Sequence, residues 1–309
     1  MNAKKFGFRK KTSQKLTALG IVIIAILVAI DNWLPYSLLS HYKCPVNSQP
    51  QILRQYGAIA ETIQFSVADG TQVSGWWIPA KTRSSKPPIT LILLHGLGGT
   101  RQDLLEFALP LWKKGINLAA IDLRGHGNSS GEFFTYGFNE WKEVSGLIDN
   151  LQQRGAKRMA VLGISAGGVV GISAAAHDTR IHSLVTIGAF ADLDQMITRR
   201  SPWLPALWRD RAKANAEQMG QFRIKDVSAI ANVQKITCPI LITHGTADDY
   251  ILFEDGQSLY RSAPEPKMFY AIQSANHANM LWKEKQKLQT QIFNFIQANT
   301  EYDIESNTQ

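Results

Sequence analysis

Cysteine is nearly missing from this 309-residue chain: Cys44 and Cys238 are the whole supply. Two cysteines make no disulfide framework, and no CxxC or other paired spacing exists to hold a structural metal. Stability must therefore come from packing, for which the length suffices. Charge is also sparse, at 19% of residues against 45% hydrophobic, which excludes a disordered or collagen-like chain. Acid is absent from the first fifteen residues, which hold Lys4, Lys5, Arg9, Lys10, Lys11 and Lys15. Setting those six aside leaves 27 Lys and Arg against 25 Asp and Glu, so the net charge of +8 belongs mostly to a short tail. Charge over the rest of the chain is nearly balanced, so the sequence makes no case for nucleic-acid binding and no such partner is expected. No internal repeat is present.

Behind the basic tail, Leu16–Ile30 runs fifteen residues without a charge until Asp31. A helix of that length rises about 22 Å, short of the ~30 Å hydrocarbon core. Snorkelling by Lys15 and an aromatic cluster around Trp33 and Tyr36 would let a slightly longer segment span. A cleaved signal peptide has a similar layout, but no small-x-small cleavage site follows, so an uncleaved anchor is the expectation. A buried or peripheral helix is the third reading. Because the basic residues precede the segment, the tail should face the cytoplasm and the remainder should be extracytoplasmic. Secretion after signal cleavage is the alternative. The expected division is residues 1–45 as tail and anchor, 46–300 as one domain, and 301–309 as a disordered tail.

From residue 61 onward, β-rich runs alternate with helical ones. Glu61–Val67 and Thr71–Pro79 read as a hairpin over Ala68-Asp69-Gly70. Further strands are expected at Thr90–Leu94, Ile116–Asp122, Met159–Ile164, Ser183–Gly188, Pro239–His244 and Met268–Ile272. Helices are expected at Gln102–Lys114, Phe138–Arg154, Ala166–Ala176, Glu254–Ser262 and Leu281–Gln297. This alternation implies an α/β fold with a mostly parallel central sheet flanked by helices. Residues 189–233 hold no clear strand and are too many for a simple loop, so they read as a small helical cap. Trp203, Trp208 and Phe222 within it either pack a cap core or touch lipid.

The pattern Gly-x-Ser-x-Gly occurs twice, and context separates the copies. Gly127–Gly131 lies in a glycine-rich turn with no strand leading into it. Gly163–Gly167 follows the strand MAVLGI and precedes the small-residue helix GGVVGISAAA, the setting of a nucleophile elbow. A strained strand-to-helix turn would expose Ser165 Oγ at a helix N-terminus, where backbone N–H groups favour developing negative charge. The turn His95-Gly96-Leu97-Gly98-Gly99 offers a backbone donor, so Leu97 N–H with Ala166 N–H form a candidate oxyanion hole. Asp122 and His126, in DLRGHG, are expected to organise their turn beside the site.

A serine hydroxyl needs a base, and the base an orienting acid. Of seven histidines, His277 lies in a polar loop between the last strand and the final helix. Acid candidates after the preceding strand are Asp248 and Asp249, with Asp255, Asp192 and Asp194 further off. The order Ser165, Asp248, His277 is the chain order of a Ser–Asp–His hydrolase on a parallel sheet.

With HGLGG at 95–99, DLRGHGNS at 122–129, GISAG at 163–167, HGTADD at 244–249 and ANHAN at 275–279, the chain from Glu61 to Gln297 resembles the α/β-hydrolase family. Within it, the chain looks like the membrane-anchored branch of serine esterases and thioesterases that carry an N-terminal hydrophobic segment and a small cap. The resemblance implies Ser165 as nucleophile, Asp248 as acid, His277 as base and the N–H groups of Leu97 and Ala166 as oxyanion donors. It implies a small or lipid-like acyl substrate and no metal or cofactor. It also implies distance from two groups: epoxide hydrolases and dehalogenases, which have Asp at the elbow, and prolyl-oligopeptidase-type peptidases, which carry a large N-terminal propeller. A histidine base makes hydrolysis fall off in acid, where an ordinary imidazole is protonated below about pH 6.5. An acyltransferase with the same triad, and a non-catalytic binding protein on the same fold, are the alternatives.

Overall fold

The computed structural model describes residues 3–46, 48–81 and 87–300; the expected disordered tail at 301–309 lies outside them. Among the described residues, eight strands form one sheet: β1 (Glu61–Ser66), β2 (Gln72–Ile78), β3 (Ile89–Leu94), β4 (Asn117–Asp122), β5 (Arg158–Ile164), β6 (Ile181–Ile187), β7 (Ile240–Gly245) and β8 (Lys267–Ile272). Their order is β1-β2-β4-β3-β5-β6-β7-β8. The β1–β2 and β2–β4 pairs are antiparallel, and the other pairs are parallel. Asp69 Oδ1 accepts from Thr71 N–H in the hairpin turn, which fixes the β1–β2 register.

The helices are α1 (Ala3–Val28), α2 (Leu34–Leu39), α3 (Gln51–Tyr56), α4 (Leu105–Lys113), α5 (Trp141–Gln153), α6 (Ala166–His177), α7 (Leu193–Arg200), α8 (Ala206–Gly220), α9 (Ala229–Val233), α10 (Phe253–Ser262), α11 (Met280–Lys283) and α12 (Lys285–Thr300). Helices cover both faces of the sheet, so β3, β4 and β7 are buried along their whole length. In β3, Ile92 and Leu94 join α5 and α6 on one side, while Leu91 and Leu93 join α4 and α12 on the other. The two-residue period of a strand thus feeds two separate cores.

The strand order places β3 between β4 and β5. The loops leaving β3 and β5 therefore part in opposite directions, and the crevice between them is the place where open α/β sheets bind ligands. The cap, between β6 and β7, is helical as expected: α7, α8 and α9 with a short turn of 3₁₀ helix at Ile224–Asp226. Its two ends are tied by an isolated bridge, Asp192 to Ser228, and each residue also caps a helix, accepting from Gln195 N–H and Ala231 N–H.

One N-terminal helical stretch, Thr17–Leu39, is long and apolar enough to cross a membrane, at 23 residues and a mean hydropathy of 2.2. It is longer than the fifteen-residue run suggests because the chain stays helical through Asp31. The turn Ala29–Trp33 is a π-helix leading into α2, which carries Pro35 in its first turn. Such turns commonly mark functional positions. Ile30, Pro35 and Leu39 are buried against the domain, so the helix passes into it without an intervening linker.

Candidate active site

Ser165 stands between β5 and α6 with φ 53° and ψ −123°, a conformation that costs a non-glycine residue of order 1–3 kcal/mol. The flanking glycines make it attainable. A Cβ on Gly163 would lie 2.2 Å from Gly167 O, and one on Gly167 would lie 2.4 Å from both Leu94 O and His95 O. The turn is therefore pressed directly against the end of β3. Gly127–Gly131 has no such role: Ser129 is buried, donating to Asp122 O and accepting from Ser74 N–H.

His277, in the loop after β8, reaches back across the strand ends. Its Nε2 lies 3.0 Å from Ser165 Oγ, and its Nδ1 lies 2.8 Å from Asp248 Oδ2. With the proton on Nδ1, the ring donates to Asp248 and accepts from the serine hydroxyl. Asp248 follows β7 by three residues and is 5% exposed. Its Oδ1 accepts from the N–H groups of Tyr250 and Ile251, each at 3.0 Å. Burial alone would raise its pKa. Hydrogen bonds from His244, His277 and the Ile251 N–H overcome this and hold it well below the usual carboxylate range. Of the other acid candidates, Asp249 is exposed, and Asp255 is buried elsewhere, accepting from Ala191 N–H and pairing with Arg199. Asp192 caps α7, and Asp194 pairs with Lys213.

The 95–99 loop passes over the serine: a Cβ on Gly96 would stand 3.4 Å from Ser165 Cβ. Among the described residues, neither Leu97 N–H nor Ala166 N–H donates to a protein acceptor. Two histidines hold this loop. His95 donates from Nδ1 to Gly96 O and accepts Leu123 N–H at Nε2; His126 donates from Nδ1 to Arg124 O and accepts Gly98 N–H at Nε2. The DLRGHG turn thus organises the loop beside the serine, as expected. Asp122 completes it, fully buried, bonded to the N–H groups of Arg101 and Asn128 and paired with the Arg101 guanidinium at 2.9 Å.

Each of these two histidine rings accepts a bond at Nε2, so each must be neutral. Burial pushes both pKa values down to about 4. In the unfolded chain an imidazole takes its proton below about 6.5. Between pH 6.5 and 4 the unfolded state therefore binds more protons, and the fold loses stability as pH falls through that window. The loss is on the order of 3 kcal/mol per histidine. Urea unfolding midpoints should drop steeply from pH 7 to 4.5, and less steeply in His126→Gln. A flat profile would contradict the buried neutral pair.

Some site features have no motif. The Tyr250 ring packs 5.0 Å from the His277 ring, with the Arg200 guanidinium 4.3 Å from the Tyr250 ring. A cavity of about 270 Å³ reaches the site at Leu97 and Tyr250, walled by the cap and by residues around α2. Phe222 is buried against Phe138, whereas Trp203 is 69% exposed at the cavity edge.

A Ser–His–Asp arrangement at the carboxyl ends of a mostly parallel eight-stranded sheet defines the α/β-hydrolase class. More narrowly, the model of the prolyl oligopeptidase family (Peptidase_S9) matches residues 105–302, more than half of the chain, and the chain belongs to that family. This corrects the expected distance from prolyl-oligopeptidase-type enzymes. The match lies in the hydrolase part, on which a propeller has no bearing. YfhR of Salmonella typhi, an uncharacterised protein, is 29% identical over 83% of this chain and 87% of its own. The esterase Pf2001 of Pyrococcus furiosus has a TM-score of 0.68 at 21% identity, covering 84% of this chain and 99% of its own. The Penicillium α/β hydrolase GrgF has a TM-score of 0.64 at 19% identity, covering 79% of this chain and all of its own. In sequence GrgF, named a polyketide transferase, is 26% identical over 48% of this chain and 52% of its own.

Proposed function

We propose that this protein is a membrane-anchored serine hydrolase that cleaves carboxylic esters or thioesters through an acyl-enzyme. The observation that carries the reading is the continuous hydrogen-bond chain Ser165–His277–Asp248. His277 Nε2 takes the proton of Ser165 Oγ as the oxygen attacks the acyl carbonyl. The tetrahedral oxyanion is held by Leu97 and Ala166 N–H, each donor worth about 3–4 kcal/mol in the transition state. The imidazolium, held by Asp248, protonates the leaving alcohol or thiol as its bond to the acyl carbon breaks. Water then repeats the cycle and frees the acid. None of these steps calls on a metal or cofactor.

The family name keeps amide cleavage as a second reading, and the name of GrgF keeps acyl transfer as a third. The experiment is a panel of acyl esters, thioesters and aminoacyl amides of graded chain length, run with the full chain and with Ser165→Ala. Ester turnover well above amide turnover supports the reading, and the reverse sinks it. Acyl products trapped by an added alcohol in place of water would mean transfer.

The anchor is the part of the Thr17–Leu39 helical stretch that precedes its contacts with the domain at Asp31, with its basic end in the cytoplasm and the domain outside. Exposed Cys44 follows that helix, and Cys238 is buried. A membrane-impermeant maleimide should therefore label intact cells through Cys44; labelling only after lysis would reverse the orientation.

A further inference from the structure

We propose that the end of the membrane helix is itself a wall of the acyl-chain pocket, so that residues 34–41 help select a long-chain ester drawn from the bilayer. The proposal rests on the ester reading of Ser165. The cavity that reaches Leu97 and Tyr250 has two unlike sides. Leu34, Leu38 and His41 form one, and Ile197, Leu204 and Ala212 of the cap form the other. The first side comes from a segment that lies more than a hundred residues before the serine.

That segment is fastened. Asp31, the charge that ends the apolar run, forms a two-pronged ion pair with Arg211 of α8, with Nη2 to Oδ2 at 2.8 Å. Asn215 Nδ2 donates to Asp31 O at 3.0 Å. On the opposite flank, Tyr136 OH donates to Leu38 O at 2.7 Å and Phe134 N–H to Leu39 O at 2.8 Å. The Arg211 side chain that pairs with Asp31 is more than half exposed and would be costly within hydrocarbon, so the pair marks where the helix meets the cap at the membrane surface. Trp33, at 65% exposure, and Trp203, at 69%, leave apolar surface on both sides of the cavity at that level. An acyl chain moving between bilayer and pocket along this surface would stay against apolar groups. The occupant that fits is the hydrocarbon tail of a membrane-resident acyl ester. Burial of each methylene favours it by about fourfold.

Alkyl fluorophosphonates test the pocket without asking what the natural reaction is. The full chain in detergent is reacted with ethyl and dodecyl fluorophosphonates, and the rate of Ser165 labelling is read for each. The dodecyl-to-ethyl rate ratio should exceed ten in the wild type and fall tenfold or more in Leu38→Trp and Leu34→Trp. An unchanged ratio in either variant that still labels overturns the proposal. Should both variants fail to fold, a dodecyl fluorophosphonate bearing a diazirine at its tail is photolysed on the wild type. Crosslinks within residues 34–41 support the wall, and crosslinks confined to other segments overturn it. The two readings fail separately. Ester hydrolysis with a ratio insensitive to Leu38 removes the wall alone, whereas a sensitive ratio without hydrolysis of any panel ester removes the ester reading alone.

Discussion

Ser165→Ala is expected to lower ester turnover by on the order of 10⁵–10⁶ and to abolish labelling by a fluorophosphonate probe. Its effect on stability should be small or favourable. The serine holds φ 53° because the turn between β5 and α6 requires it, and alanine has the same Cβ and meets the same strain. Among the described residues, the side-chain hydrogen bond lost is the one to His277 Nε2, on a partly exposed ring that water can satisfy. Activity and folding should therefore separate: unfolding midpoints stay near wild type while turnover falls to the residue left by the oxyanion donors and binding. Retention of a tenth of the activity, or persistent probe labelling, would remove Ser165 as nucleophile. The other Gly-x-Ser-x-Gly gives the contrasting result. Ser129→Ala leaves Asp122 O and Ser74 N–H without their buried partner, and so acts on stability first.

The core of the candidate site was legible in the sequence because each part sits at the end of a strand whose apolar run is unmistakable. MAVLGI before Ser165, the run ending at His244 before Asp248, and Met268–Ile272 before His277 each fix where a loop must emerge. The parallel order then brings those loops to one edge. What could not be read was contact across long separations with no local signature. Asp31 looked like the end of an apolar run, and nothing near it in sequence points to Arg211, 180 residues away. The contact of α2 with α8 joins segments more than 160 residues apart, which periodicity does not encode. Tyr250 follows Asp248 by two residues, but its packing against His277 follows from the turn that presents the Asp248 carboxylate. The α/β-hydrolase family was legible in the motifs, whereas the distance expected from prolyl-oligopeptidase-type enzymes rested on a propeller, a feature outside the part of the chain that the family model matches.

Asp248→Asn should cost about 10⁴ in turnover, and the reason lies in which oxygen does what. Oδ1 accepts two backbone N–H bonds, from Tyr250 and Ile251, so an asparagine must put its carbonyl oxygen there. Its amide nitrogen then occupies the place of Oδ2, 2.8 Å from His277 Nδ1. Facing a donor, Nδ1 must become the acceptor, and the ring proton moves to Nε2, where it points at Ser165 Oγ. The base is then in the wrong tautomer, and the negative charge that stabilises the imidazolium is gone as well. The geometry of the turn is kept, so folding should survive and probe labelling should slow rather than vanish. Asp249→Asn, one residue on and exposed to solvent, should stay within about twofold of wild type. A loss of less than tenfold in Asp248→Asn, or an equal loss in both variants, would show that the carboxylate of Asp248 does not orient His277.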